Sequence, residues 1–447
     1  MATQSLEETV LSDKMKEYIV IELMKERKLA RTCRFFKNIL SPPRFHLADI
    51  SFVFVYLDSK YIRTSDGRQK TPDELVAELK PVISNPTINY QRLGEIVVFG
   101  KAKDLREAVE CFSLPQIGNY LPLAILGKGG FKTTYLARDE VLEKRVALKI
   151  MHGSDWPSVQ AGLERLAEYR GYVGDTRQQE ALVRAFKDEA QALSRTLHPS
   201  LAKFLGAGLH PVMYLAEEYI EGETLEQVAL SLGDRSQLTQ DQKLILLSYI
   251  LEVAQGLEQL HLKGIVHLDE KPANIIIHPK RGAVLTDFSS TQNVFQQSTL
   301  SKAVSRLYLP PELYSENTVY LSSDLWVFGV MAYFVLLGHH PYHSHVTLDT
   351  WGSLDPKDPQ KDILMQEIQH NIQKGNYKVP SLIEAYNLGD SFIYENIFLG
   401  MIEDCVKIEP TQRPKNAAWL VSGIYNPVEG MGLLVHNRDI DCRTLGL

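Results

Sequence analysis

Ile265-Val-His-Leu-Asp-Glu-Lys-Pro-Ala-Asn-Ile-Ile-Ile277, followed after a short turn by Val284-Leu-Thr-Asp-Phe-Ser289, is the stretch that decides how this chain is read. Asp269, Lys271 and Asn274 fall on a loop between an apolar helix and a short β-rich run. Asp287 follows a second apolar strand, Ala283 to Thr286. Two acids, an amide and a lysine therefore meet at the ends of one hairpin. That set suits phosphoryl transfer. One carboxylate orients a hydroxyl, the other carboxylate and the amide hold Mg²⁺, and the lysine meets the charge of the moving phosphate.

The same residues resemble the catalytic loop and metal-binding motif of eukaryotic-type (Hanks-type) protein kinases, H-R-D-L-K-P-x-N followed by D-F-G. His267, Asp269, Lys271, Pro272 and Asn274 match in order and spacing, as do Asp287 and Phe288. Leu268, Glu270 and Ser289 depart from the pattern, so the arginine of the first motif is missing. The fold class that the resemblance implies is α+β, a bilobal protein-kinase fold preceded by a small α/β N-terminal domain.

Length and composition agree with a multidomain protein. A chain of 447 residues exceeds one typical core. Its hydrophobic content of 44% and charged content of 23% are ordinary for a soluble protein. A net charge of -7 argues against nucleic acid as a partner over the whole surface. Cys33, Cys111, Cys405 and Cys442 lie far apart without metal-ligand spacing and read as reduced thiols. The N-terminal residues carry no basic and apolar secretory pattern. The longest apolar run, Leu325 to Gly338, is shorter than the ~18–20 residues a bilayer span needs, so no stable membrane insertion is expected. A helix buried on all sides is the expectation there. A cytoplasmic location follows, or a host cytosol for a secreted effector.

Ahead of the kinase-like region, Ser12 to about Leu40 reads as a helix with a basic second half: Lys25, Arg27, Lys28, Arg31, Arg34 and Lys37. A solvated face, an acidic partner and a membrane surface all suit it. Strand-like runs at Ile50–Tyr56 and Lys60–Thr64 follow. Thr71-Pro-Asp-Glu74 is a capping box opening a helix. Residues 1–112 thus form an accessory region, open to substrate docking, to a regulatory partner or to simple packing on the kinase.

The resemblance runs from about Tyr120 to Leu420. Its expected divisions are an N-lobe over 118–222 with an inserted segment at 153–182, a C-lobe over 223–425 and a tail over 426–447. Leu126-Gly-Lys-Gly-Gly-Phe-Lys-Thr-Thr-Tyr135 is similar to the glycine-rich loop over ATP. There Gly127, Gly129 and Gly130 admit the phosphates to the backbone amides, with Lys132 in the third glycine's place. Val146-Ala-Leu-Lys149 is similar to the strand whose lysine holds the α and β phosphates. Leu197-His-Pro199 sets the register that makes Glu189 the partner of Lys149, with Asp188 as the competing choice.

Met213 to Gly222 resembles the hinge, so Glu218 to Ile220 read the adenine edge while Ala147 and Ile276 cover its faces. Glu217 then takes the gatekeeper place. A buried unpaired acid there is costly, so a cationic or polar partner is expected, unless a one-residue slip exposes it. The resemblance also makes His267 a packing partner of Phe288. It pairs Glu312 with Arg413 and makes Asp324 a holder of the catalytic-loop backbone.

The reaction the resemblance implies is transfer from ATP, with Mg²⁺ or alternatively Mn²⁺, to a protein substrate. Lys271, two residues beyond Asp269, is the serine/threonine pattern. Ser305 matches the family threonine that bridges the catalytic Asp and Lys. The catalytic set is therefore Asp269, Lys271, Lys149, Glu189 and Ser305, and the metal set is Asn274 and Asp287. With Leu268 in place of the phosphate-pairing arginine, activity is expected not to need phosphate on Ser298, Thr299 or Ser301. Two rival readings stay open: a pseudokinase that binds without turnover, and a small-molecule phosphotransferase.

Overall fold

The computed structural model describes residues 116–128, 132–151, 190–191, 193–208, 214–288, 291–294, 305–315, 318–354, 358–374 and 377–422. The expectations for residues 1–112, the 153–182 insertion, Gly129, Gly130, Glu189, Ser289, Ser298, Thr299, Ser301 and the 426–447 tail lie outside the described residues. The chain divides into two compact units. Among the described residues, those of 120–151 and 207–219 belong to one; those of 190–206 and 220–422 belong to the other.

A five-stranded sheet, most of which lies in the first unit, is made of β1 (Tyr120–Lys128), β2 (Lys132–Asp139), β3 (Lys144–Met151), β4 (Phe204–Gly208) and β5 (Tyr214–Glu218), in the order β1-β2-β3-β5-β4. Alternation explains the strands. On β2, Thr133, Tyr135 and Ala137 are buried while Lys132, Thr134 and Arg138 are less so. The antiparallel register of β3 with β5 sets Ala147 opposite Glu217 and Lys149 opposite Leu215.

The second unit is mainly helical. After β6 (Glu223–Thr224) come α1 (Leu225–Ser231) and α2 (Gln240–His261). Each opens with a capping box, Thr224 with Gln227 and Thr239 with Gln242, so a hydroxyl and an amide satisfy otherwise orphaned backbone N–H groups. Then follow β7 (Ile265–Val266), β8 (Ile275–His278), β9 (Gly282–Leu285), β10 (Gln292–Asn293), α3 (Glu312–Ser315) and α4 (Leu321–Leu336). Beyond them lie β11 (His339–His340), β12 (His343–Thr347), α5 (Leu348–Ser353), α6 (Pro359–Lys374), α7 (Leu382–Tyr386), α8 (Ile393–Cys405) and α9 (Ala417–Ser422).

The centre of this unit is α4, buried at every residue from Ser322 to Leu336, as the apolar run at 325–338 leads one to expect. A Cβ at Gly329 would stand 2.7 Å from Val406 Cγ1, so glycine lets α4 close against the end of α8. Trp326 stacks on Tyr342 at 5.5 Å, and the Arg413 guanidinium lies 5.0 Å from the Trp326 ring centre. Arg413 also spends all its N–H donors, two of them on the carboxylate of Glu312 at 2.8 Å each. The others reach the carbonyls of Lys407, Ile408 and Ser322. The expected Glu312–Arg413 pair is thus present and sealed inside. No helix among the described residues is long and apolar enough to cross a membrane.

Candidate active site

The loop from His267 to Asn274 hangs between β7 and β8, and three anchors set its path. β7 pairs with β10 through Val266 and Gln292. The β8–β9 hairpin brings Thr286 to the carbonyl of Asn274, which accepts from its backbone N at 2.8 Å and its Oγ1 at 2.9 Å. From α4, Asp324 accepts the backbone N–H of His267 at 2.7 Å and of Leu268 at 2.8 Å. It also accepts from Nε2 of His261 at 2.9 Å. That imidazole nitrogen carries the proton, because Nδ1 already accepts the N–H of Ala417 at 3.0 Å. His261 has no motif in the sequence to mark it. Its signal, a polar residue closing an apolar helix, is too weak to find without the fold.

On this frame four side chains converge. Asp269 accepts from Lys271 Nζ at 2.8 Å, from Asn274 Nδ2 at 2.7 Å and from Ser305 Oγ at 2.7 Å. Lys271 also reaches Ser305 Oγ at 3.2 Å, which closes a triangle of acid, ammonium and hydroxyl. Burial alone would pull the Lys271 pKa down. The charge and hydrogen bond of Asp269, helped by Asp287 and Glu226, outweigh it and hold the amine above its ordinary value. Lys271 therefore stays a cation. Asp287 is buried and sits at φ 73, a left-handed backbone that costs a non-glycine residue energy and is commonly kept at working sites. Phe288 beside it meets the ring of His267 edge-on at 5.7 Å, as the sequence reading expects.

In the first unit Lys149 lies on β3 with only 4% of its side chain exposed, and its Nζ is 2.5 Å from Glu217 Oε2. Glu217 is therefore buried and has a cationic partner. Glu189, the expected partner of Lys149, lies outside the described residues; among the described residues Lys149 pairs with Glu217 on the neighbouring strand. Glu218 ends β5 opposite Val146, Ile220 is buried, and Ile276 is half-buried on β8. Lys132 is half-buried at the start of β2. A Cβ at Gly127 would meet no atom of the described residues within 4 Å.

A mostly antiparallel sheet carrying a buried lysine, and a helical unit carrying an Asp–Lys–Ser triangle with an Asn bonded to its acid, have the make-up of a protein-kinase fold. Residues 120–422 match the family model of the protein kinase domain, and the chain belongs to that family. Among curated relatives it is 30% identical to the probable serine/threonine-protein kinase pknA2 of Bifidobacterium longum over 232 residues, 51% of this chain and 27% of the relative. It is 28% identical to the serine/threonine-protein kinase PrkC of Bacillus subtilis, over 50% of this chain and 31% of PrkC. With PknL of Mycobacterium tuberculosis the identity is 30%, over 56% and 57% of the two chains. The chain thus spans between about a quarter and somewhat over half of these relatives.

Proposed function

We propose that this protein transfers the γ-phosphoryl group of ATP to serine or threonine hydroxyls of a protein substrate. The observation that carries the reading is the triangle Asp269–Lys271–Ser305, closed by hydrogen bonds of 2.7, 2.8 and 3.2 Å. In that geometry Asp269 orients the acceptor hydroxyl and takes its proton as the new P–O bond forms. Lys271, held as an ammonium, meets the negative charge that develops on the phosphoryl oxygens. Ser305 fixes the rotamer of Asp269 and so the direction in which the acid points. Lys149 is assigned to the α and β phosphates by its place in the Val146-Ala-Leu-Lys149 strand.

Asn274 and Asp287 suit Mg²⁺. Asn274 commits its amide nitrogen to Asp269, which leaves its carbonyl oxygen as the group it offers a cation. Among the described residues no three His, Cys, Asp or Glu side chains cluster as a metal cage. Two oxygen ligands with the rest drawn from phosphate and water is the way Mg²⁺ binds nucleotides. Bound there, the ion neutralises phosphate charge.

Leu268 supports a further part of the reading. Its side chain is fully buried and carries no charge to receive a phosphate, so turnover does not depend on phosphorylation of Ser298, Thr299 or Ser301. The names of the relatives support serine/threonine specificity. The decisive assay uses radiolabelled ATP and a generic protein substrate, comparing wild type with Asp269→Asn and hydrolysing the product for phosphoamino acids. A loss of about 10²–10⁴-fold is expected. Equal labelling by the two proteins would favour a binding module without turnover, and label on metabolites alone would favour a small-molecule phosphotransferase.

A further inference from the structure

Between Asp269 and Lys271 stands a residue the mechanism does not use. Glu270 has no solvent-exposed surface, and neither of its carboxyl oxygens meets a hydrogen-bond donor among the described residues. The carboxyl group it interacts with is Asp324 of α4, also without solvent exposure and held against the same loop by the N–H groups of His267 and Leu268. Two ionised carboxylates in contact inside a protein repel each other and have lost their water, so one must carry a proton. The surroundings decide which. Asp324 accepts N–H groups from His267, Leu268 and His261, all of which stabilise a negative oxygen. Glu270 accepts none from any other described residue. Its proton is then the donor that fills the remaining space on Asp324.

We infer that Glu270 is a carboxylic acid in the folded protein and donates its proton to Asp324, acting as a positioning residue that ties the catalytic loop to α4. The bond places a second tether one residue beyond Asp269, where the backbone tethers at His267 and Leu268 lie before it. Leu268, at φ 63, turns the chain between them. The titratable groups facing Glu270 are Asp324 from α4 and Asp269 from its own loop, with His261 from α2 acting through Asp324. Burial first, then the charge and hydrogen bond of Asp324 and the charge of Asp269, hold its pKa well above the ordinary value against a partial pull down from its own backbone N–H, in agreement.

The catalytic part of this inference rests on the kinase reading; the proton itself does not. In the unfolded chain Glu270 ionises above about pH 4.5, while the folded protein keeps the proton. The unfolded state thus binds fewer protons, and stability falls as pH rises, until the folded pKa is passed. The test measures urea unfolding of the full chain, wild type against Glu270→Gln, from pH 5 to pH 8. Glutamine donates to Asp324 without ionising. Its advantage is therefore expected to grow with pH, by up to about tenfold in the folding constant per pH unit. A gap that is constant or shrinking with pH, or a Gln variant that fails to fold, would overturn the inference.

Turnover supplies the second arm. Glu270→Gln should keep kcat within about twofold, whereas Glu270→Met, apolar and of similar length, should lose about tenfold in kcat with KM for ATP unchanged, as expected when one positioned donor is removed. Equal kcat for the Gln and Met variants would remove the positioning role. If wild type and Asp269→Asn label substrate equally, the kinase reading fails by itself, and the unfolding arm still decides where the proton lies.

Discussion

Lys149 and Glu217 form an ion pair across neighbouring strands, Nζ to Oε2 at 2.5 Å, with 4% and 1% of their side chains exposed. The register explains why they meet. Ala147 lies opposite Glu217 and Lys149 opposite Leu215, so the two charged side chains are diagonal neighbours on one face of the sheet. Neither charge could stay buried alone, because its lost hydration far exceeds what an apolar interior returns. The lysine assigned to the nucleotide is thus held from within the sheet itself.

That pairing gives a double-mutant cycle with a definite sign. Glu217→Met alone should destabilise the protein, by up to about 3–5 kcal/mol, because it takes a hydrogen-bonded carboxylate away from a buried ammonium. Adding Lys149→Met should recover most of that loss in the unfolding midpoint, while abolishing turnover. Costs that simply add in the double variant would show that the two side chains are not coupled.

Ser305 donates to Asp269 Oδ1 at 2.7 Å and accepts from Lys271 at 3.2 Å. Replacing it with alanine frees the acid to rotate and is expected to lower kcat about tenfold, with KM for ATP little changed. Threonine keeps the hydroxyl and should restore turnover. Steady-state kinetics of both variants check this, and a threonine variant as slow as alanine would argue that volume matters, not the hydrogen bond.

Leu268 is buried with φ 63 and contributes only a backbone N–H, bonded to Asp324, to the site. No charge at this position waits for a phosphate. The combined Ser298→Ala, Thr299→Ala, Ser301→Ala protein should therefore phosphorylate substrate within about twofold of wild type. A loss of activity restored by acidic replacements at these positions would show that phosphate is required after all.

A second pH effect has the opposite sign to that of Glu270. Burial, with a smaller push from His343 and His339, lowers the pKa of His340 to about 3 against a partial lift from the Leu307 backbone. The unfolded chain protonates this histidine below about pH 6.5, and the folded protein does not. Its contribution is complete above that pH and is lost as pH falls towards about 3. In this window stability should drop by up to about 1.4 kcal/mol per pH unit. Urea unfolding of His340→Gln between pH 4 and pH 7 should show a shallower slope than wild type. Parallel slopes would place the histidine in water.

Much of the site could be read before the fold was known, for a local reason. Asp269, Lys271 and Asn274 lie within six consecutive residues, so whatever holds the loop presents all three together. The all-apolar run that becomes α4 is likewise a property of composition, since no face of it could be left in water. Those features the sequence determined by itself. Only the tertiary structure decided which charges share an interior. Glu217 stands 68 residues from Lys149, and the strand register alone selects it as a partner. Glu270 and Lys271 are adjacent polar residues, yet one has no contact with water and the other reaches Asp269 and Ser305. The backbone turn at Leu268 and the carboxylate of Asp324 on α4 assign those opposite places, and hydration free energy, which depends on what surrounds a charge, cannot be read from a string of neighbours.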